Sequence, residues 1–139
     1  MALVRLVRDN LAAQALVTVA RLRQAAIEEL RLLATEITPV PASLMVFGSF
    51  ARGDAGAHSD VDVLAIRPPA ATRHGLDSWT DSLGRWADRA SRALGNPVEA
   101  SADEIPALLK QRAPSMWSGI VAEGLVLVGL NVADLATAA

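Results

Sequence analysis

The chain has 139 residues, which fits a single globular domain (1–139), and 52% of its residues are hydrophobic, a folded rather than a disordered composition. The absence of cysteine excludes disulfides and thiolate metal sites, and two histidines are too few for a histidine-rich zinc site. Any metal would therefore be a hard cation bound through oxygen. The net charge of −2 gives no basic footprint for nucleic acid, and charged residues or glycine interrupt the apolar runs. We expect a cytoplasmic protein with no membrane span and no direct DNA readout.

A long amphipathic helix is predicted over residues 11–37, after a cap at Asp9 or Asn10 and before Pro39 and Pro41. Its apolar residues recur at steps of three and four, as on one face of a helix. They are Leu11, Ala15, Val19, Leu22, Ala26, Leu30, Leu33 and Ile37. We interpret this stripe as a face packed on its own domain, and a homodimer through it is the alternative.

The first ten residues contain the sequence ALVRLV, which alternates like a strand but has no partner in the predicted architecture. We therefore treat residues 1–10 as the remnant of an upstream segment, a hypothesis that the full reading frame would test.

Two short apolar runs are predicted strands. ASLMVFGSF stops at Gly48, and DVDVLAIRPP stops at Pro68 and Pro69. About a dozen polar and glycine-rich residues join them.

The second half of the chain predicts a helix over residues 76–94 that ends at Gly95, followed by a third strand in NPVEAS. Two further helices are predicted, over residues 103–112 and 114–127. The order predicts an α+β (mixed α/β) domain, with a small mixed sheet of three or more strands flanked by helices.

Asp60 and Asp62 stand inside an otherwise apolar strand. Alternation points both carboxylates to one face, about 6.6 Å apart along the backbone, while Val61, Val63 and Ala65 face the core. Such a pair stays ionised in a dry site only beside a cation. Two Mg²⁺ ions held by paired carboxylates are the usual arrangement for in-line attack on phosphorus.

A phosphate-binding turn is predicted where the first strand ends. Gly48 permits close backbone approach, and the amides and the Ser49 hydroxyl at a helix start suit phosphate oxygens. Arg52 would add a positive charge or pair with Asp54, and Gly53 turns the chain back toward the aspartates.

Two better-known motifs fail at this position. Gly48 and Gly53 have Walker A spacing, but Asp54 and Ala55 stand where Lys and Ser or Thr belong. An EF-hand loop also does not fit, because this sequence has no glycine and no distal glutamate at the required positions after Asp60 and Asp62.

The stretch from Gly48 to Gly53, followed after six residues by Asp60-Val61-Asp62, resembles the signature of the nucleotidyltransferase fold. It resembles in particular the small bacterial minimal nucleotidyltransferases of the polymerase beta type. The resemblance implies that Asp60 and Asp62 chelate Mg²⁺ and that the Gly-Ser turn binds the triphosphate of a nucleotide substrate.

The resemblance also implies a third carboxylate on a later strand, which binds metal and can act as base, and Glu99 in NPVEAS is the candidate. Ser59 directly precedes Asp60 and is a further nucleotide-binding candidate, unless it only orients the loop. The implied reaction moves a nucleoside monophosphate from a nucleoside triphosphate, ATP in the first instance, to an acceptor.

Three functional hypotheses follow. The first is a Mg²⁺-dependent nucleotidyltransferase whose acceptor is a partner protein, for which the resemblance suggests a toxin of the HEPN ribonuclease family. Small antibiotics and RNA ends, which the wider fold also uses as acceptors, are the alternatives, and the fold alone does not choose among them. The second is an antitoxin that neutralises its partner by contact, with little or no catalysis. The third is a DNA-binding regulator whose reader domain precedes Met1, although nothing within the chain supports DNA readout.

Overall fold

The structure is a computed structural model that describes residues 10–56, 58–69, 71, 75–103 and 114–138, and for residues 114–116 it describes the backbone alone. Its elements, in chain order, are α1 (Leu11–Ala34), β1 (Ser43–Phe47), α2 (Gly48–Arg52), β2 (Val61–Ile66), α3 (Leu76–Leu94), β3 (Val98–Asp103), α4 (Pro114–Glu123), β4 (Leu125–Gly129) and α5 (Val132–Ala138).

The four strands form one mixed sheet in the order β3-β2-β1-β4. β1 pairs antiparallel with both β2 and β4, whereas β2 and β3 run parallel because α3 connects them as a crossover. The α+β architecture expected from the sequence is confirmed.

Both faces of the sheet are covered, which explains why β1 and β2 are apolar almost throughout. On one face, α1 and α3 enclose Val61, Val63 and Ala65 in the larger core cluster, as expected. On the other face, Leu64 and Ile66 join a smaller cluster with Ile120 of α4 and Val132 of α5. Because Asp62 alternates with Val61 and Val63, it belongs to this second face.

Asn10 caps α1, since its side-chain oxygen accepts a hydrogen bond of 2.8 Å from the Ala12 amide. The helix ends at Ala34 rather than at residue 37, although Ile37 is still fully buried.

The predicted stripe on α1 is only partly correct. Leu30 is buried, but Leu11, Val19 and Leu22 are 82%, 63% and 65% exposed. The buried residues of the helix are Ala13, Ile27, Leu30 and Ala34, so most of its packing lies in the C-terminal half.

α3 has the predicted bounds and ends at Gly95, which is left-handed with φ +76°. Trp79 and Trp86 are buried, as expected from their helical spacing. Their indole N–H groups donate to the carbonyls of Pro39 (3.0 Å) and Leu30 (3.3 Å), which fixes α3 against α1 and the segment after it.

The prediction of a helix over 114–127 is wrong at its C-terminal end. α4 ends at Glu123, and β4 follows after Gly124 and adds to the sheet beside β1. A Cβ atom on Gly124 would lie 2.4 Å from the Ile120 carbonyl oxygen, so the chain reverses where only glycine fits. The helix α5 is a further element that the sequence patterns did not predict.

Some predictions fall outside the described residues, namely those on residues 1–9 and on most of the helix over 103–112. Asp103, its expected first residue, is the last residue of β3. None of the helices in the described ranges combines the length and apolar character that crossing a membrane requires.

Candidate functional site

The turn between β1 and α2 begins the candidate site. Gly48 has φ +71° and Gly53, which caps α2, has φ +82°, so both ends of this five-residue helix require a left-handed backbone. Ser49 lies between them and is half-buried.

The carboxylate pair lies beside this turn. Asp60 directly precedes β2 and is exposed, whereas Asp62 lies within β2, is half-buried and pairs in register with Phe47. Antiparallel pairing therefore brings the end of β1 next to the start of β2. A Cβ atom on Gly48 would lie 2.9 Å from Oδ2 of Asp62, so the carboxylate occupies space that only a glycine leaves free.

The electrostatics of the pair favour a cation. Burial raises the pKa of the Asp62 carboxyl above its usual value, and the nearby charge of Asp60 raises it further. A cation between the two groups would relieve both effects. The hard carboxylate oxygens of Asp60 and Asp62 are the donors that Mg²⁺ prefers, and protein sites often supply only one or two carboxylates, the rest coming from substrate phosphates. This pair fits a divalent cation.

Glu99 is placed next to Asp62 by the parallel pairing of β3 with β2, in which the two residues are direct partners. Their side chains therefore share a face of the sheet. Glu99 is exposed, however, and among the described residues no group of three or more Asp, Glu or His side chains comes together as a metal site. The structure brings the third carboxylate to the correct strand position without gathering it into the pair.

Arg52 is engaged with acidic side chains. Its guanidinium lies 3.3 Å from Asp54 and 3.6 Å from Glu123 of α4. These ion pairs are largely exposed, so each contributes little to stability. They link α2 to α4 and leave the guanidinium at the edge of the turn.

Ser59 organises the loop that leads to Asp60. Its hydroxyl accepts a 2.8 Å hydrogen bond from the Gly56 amide, and its carbonyl accepts one of 3.1 Å from the side chain of Asn96. The Val61 amide donates to the Pro97 carbonyl at 2.8 Å, so the turn before β3 holds the start of β2. These contacts give Ser59 a structural task in the described loop.

Two residues of the site were missed by sequence reasoning. The sequence indicates only a turn at Asn96, and it gives no sign of a function for Arg23 of α1. Arg23 donates to the carbonyls of Ala51 and Phe50, in the helical turn that follows Gly48. Neither residue belongs to a local motif, and only the fold brings them to the site.

Comparison with known proteins bears on the fold. The chain is similar in fold to a chain from the crystal structure of a toxin–antitoxin with AMP-PNP, with a TM-score of 0.55 and 17% identity over 81% of this chain and 82% of that one. It is also similar to chains from two mutants of the toxin–antitoxin MntA–HpeT. The mutant with two Asp-to-Glu substitutions gives a TM-score of 0.53 and 14% identity over 81% of each chain. The mutant with a Tyr-to-Ala substitution gives a TM-score of 0.51 and 20% identity over 80% of each chain. No curated protein sequence matches significantly.

A family model described as a nucleotidyltransferase domain matches residues 27–111. This match covers more than half of the chain and includes β1, the Gly48 turn, both aspartates and β3. The chain therefore belongs to the nucleotidyltransferase domain family and is assigned to that class of enzyme.

Proposed function

We propose that this nucleotidyltransferase moves a nucleoside monophosphate, in the first instance AMP from ATP, to a side-chain hydroxyl of a partner protein. The observation that carries the proposal is the position of the Asp62 carboxylate against Gly48, at 2.9 Å from where a Cβ would stand. It supports a site in which the cation and the phosphates meet at adjacent strand ends.

The substrate would lie on the face of the sheet that carries Asp62 and Glu99. Ser101 follows Glu99 on the same face of β3, and both residues are exposed. The neighbouring positions of β1 and β2 on that face, by contrast, are packed against α4 and α5. The exposed strip beside Asp62 thus leaves room for a nucleotide.

Asp60 and Asp62 would hold Mg²⁺, which when bound neutralises phosphate charge and polarises the α-phosphorus. The Gly48 turn and the Ser49 hydroxyl would bind the β- and γ-phosphates. The acceptor oxygen bonds to the α-phosphorus as the bond from that phosphorus to the pyrophosphate oxygen breaks, and pyrophosphate leaves. Glu99, next to Asp62, would take the proton from the acceptor hydroxyl.

The choice of a protein acceptor is supported by the solved structures of similar fold. They come from toxin–antitoxin pairs, one of them holding AMP-PNP, an ATP analogue, and another carrying two Asp-to-Glu substitutions. A HEPN-type toxin, which the family resemblance implies, is accordingly the first partner to test.

A second candidate is an antitoxin that neutralises its partner by contact alone. Its support is the exposure of Glu99 together with the lack of a three-carboxylate group among the described residues. Without a base close to the pair, nucleotide binding could persist with little transfer.

Nucleotide binding is tested by a thermal-shift titration with ATP, GTP, CTP and UTP, each with and without Mg²⁺. A ligand at 100 times its dissociation constant adds about 2.7 kcal/mol, which raises Tm by about 10 °C for a domain of this size. We expect a Mg²⁺-dependent shift that is lost in the Asp60→Asn, Asp62→Asn double variant. Asp88→Asn, an exposed aspartate of α3, is the matched control and should keep the shift.

Transfer is tested with ATP labelled at the α-phosphate and a HEPN-type toxin as the acceptor. Label on the partner that requires Asp60 and Asp62 supports the enzyme. Neutralisation of the partner by the double variant, without label transfer by the wild type, would favour the contact-only antitoxin. A wild type that binds no nucleotide with Mg²⁺ would contradict the proposed site.

A further inference from the structure

We propose that Arg23 is a positioning residue that holds the phosphate-binding turn in place from α1. The inference rests on the proposed function, because it assigns a task to a side chain that acts on that site only through the backbone of α2.

The contacts of Arg23 are specific to the end of α2. Its Nη2 donates to the Ala51 carbonyl at 2.7 Å, and its Nε donates a longer bond of 3.4 Å to the Phe50 carbonyl. The Phe50 carbonyl also accepts a 3.2 Å hydrogen bond from the Gly53 amide, and a cation is favoured near the carbonyls of the last turn of a helix. The half-buried guanidinium therefore links two successive peptide groups of the turn to α1. It does so with two donors held in one planar group, a fork that lysine lacks.

α2 needs such a tie because it has little stability of its own. It has five residues, far fewer than an isolated helix requires. It begins at Gly48 and is capped by Gly53, and glycine has the most flexible backbone of all residues. A groove of about 830 Å³ runs between α1, α2 and the end of α3, with Arg23 and Phe50 among its lining residues. Close side-chain packing is therefore interrupted on this side of the turn, and hydrogen bonds bridge the gap.

Arg23 reaches the turn from the middle of α1. The family match begins at residue 27, so Arg23 lies on the part of α1 before it, yet it reaches the turn that carries Gly48 and Ser49. A turn held in its binding conformation before the ligand arrives loses less entropy on binding. Loosening it should weaken triphosphate binding while Asp60 and Asp62 keep their places on β2.

The variants are Arg23→Gln, which removes the charge and the fork, and Arg23→Lys, which keeps the charge and a single donor group. Arg21→Gln is the matched control, because Arg21 is an exposed arginine two positions earlier on the same helix. Isothermal titration calorimetry would measure binding of Mg²⁺-ATP and of Mg²⁺-tripolyphosphate, and hydrogen exchange would follow the amides of residues 48–53.

We expect Arg23→Gln to bind both ligands about tenfold more weakly. The variant loses hydrogen bonds from a charged donor, and a tenfold change in affinity corresponds to about 1.4 kcal/mol. Arg23→Lys should lie between Arg23→Gln and the wild type, which keeps the test informative if Arg23→Gln fails to fold. Exchange should accelerate in residues 48–53 and stay unchanged in β1 and β2, which a general loss of stability would not produce.

Equal affinities for Arg23→Gln, Arg23→Lys and Arg21→Gln would overturn the inference and leave the proposed function standing, provided that the wild type binds and the double aspartate variant does not. A loss confined to ATP, with tripolyphosphate unaffected, would also overturn it, because the turn is assigned to the phosphates. If the wild type binds neither ligand, the proposed function and this inference both fail.

Discussion

Gly48 is restricted by its own backbone and by the side chain that faces it. Its φ of +71° is costly for any residue with a Cβ, and that Cβ would meet Oδ2 of Asp62 at 2.9 Å. The second contact is with the end of a flexible side chain, which can move away. A substitution here should therefore disturb the site more than the fold.

Gly48→Ala should lower the free energy of unfolding by about 1–2 kcal/mol, the cost of a left-handed alanine, and should also abolish Mg²⁺-dependent nucleotide binding. Gly95→Ala is the control, because Gly95 has φ +76° and a Cβ added there would have nothing within 4 Å of it. Urea denaturation should give similar losses for both variants, while calorimetry should show nucleotide binding only for Gly95→Ala. Unimpaired binding by Gly48→Ala would contradict the assigned geometry.

Asp62 makes the stability of the metal-free protein depend on pH. Its pKa is raised in the folded state by burial and then by Asp60, so the folded protein holds this proton more tightly than the unfolded chain does. The resulting stabilisation is fully present below the ordinary carboxyl value of 3.8 and is lost as pH rises through the folded pKa. At neutral pH the ionised group is therefore a cost to the fold.

Asp62→Asn should accordingly raise Tm at pH 7 in the absence of divalent cations, and the advantage should shrink toward zero as pH falls below about 3.8. Adding Mg²⁺ at pH 7 should raise the Tm of the wild type and leave that of the variant nearly unchanged. Scanning calorimetry from about pH 3 to about pH 8 measures both effects, and a Tm difference that does not vary with pH would disprove this account.

The helix α1 shows where periodicity fails as a guide to burial. The apolar repeat was correctly identified as helical, but its N-terminal positions extend to Leu11, where the sheet offers little to pack against. The 3.6-residue period determines which residues share a face and says nothing about where the partner of that face ends. Residues 10–20 also carry no charge, which is unusual for an exposed helix.

The homodimer through α1 stays a prediction, and this exposed face makes it testable. If two copies pair through Leu16, Val19 and Leu22, light scattering should give about twice the 14.6 kDa mass of one chain. Leu16→Glu with Leu22→Glu should then give the single-chain mass with an unchanged circular dichroism spectrum. A wild type that is monomeric across the micromolar range would exclude the dimer.

β4 shows a different kind of error, because most of its residues lie in the stretch predicted to be a helix. The run Leu125–Val128 is short and apolar, and such runs do not distinguish a buried strand from a helix end by period alone. The flanking Gly124 and Gly129 were the available signal, and Gly129 has φ +76° with a Cβ position only 2.3 Å from the Ala42 carbonyl oxygen. Glycines at both ends of an apolar run favoured a strand.

In the molecule as a whole, local sequence predicted what is local in the site. The Gly48 turn, Asp60 and Asp62 lie within fifteen residues, and their meeting requires only two adjacent antiparallel strands. Glu99 was assigned to the correct strand from its own context, but its side-chain exposure depends on what covers β3. Arg23 and Asn96 reach the site only through tertiary contacts. Arg23 and Ala51, for example, are hydrogen-bonded although they are 28 residues apart in the sequence, and no spacing rule could identify such a pair.

The two tryptophans of α3 described earlier, together with Trp117 of α4, give this protein its own optical probes. The chain has three tryptophans and no tyrosine, so its near-ultraviolet emission comes almost entirely from indoles. Trp79 and Trp86 are buried in the helical layer of α1 and α3, whereas Trp117 of α4 is half-buried and packs on the opposite face of the sheet. Acrylamide should therefore quench Trp117 first, and its emission would follow events beside α4 while the other two report the integrity of the helical layer.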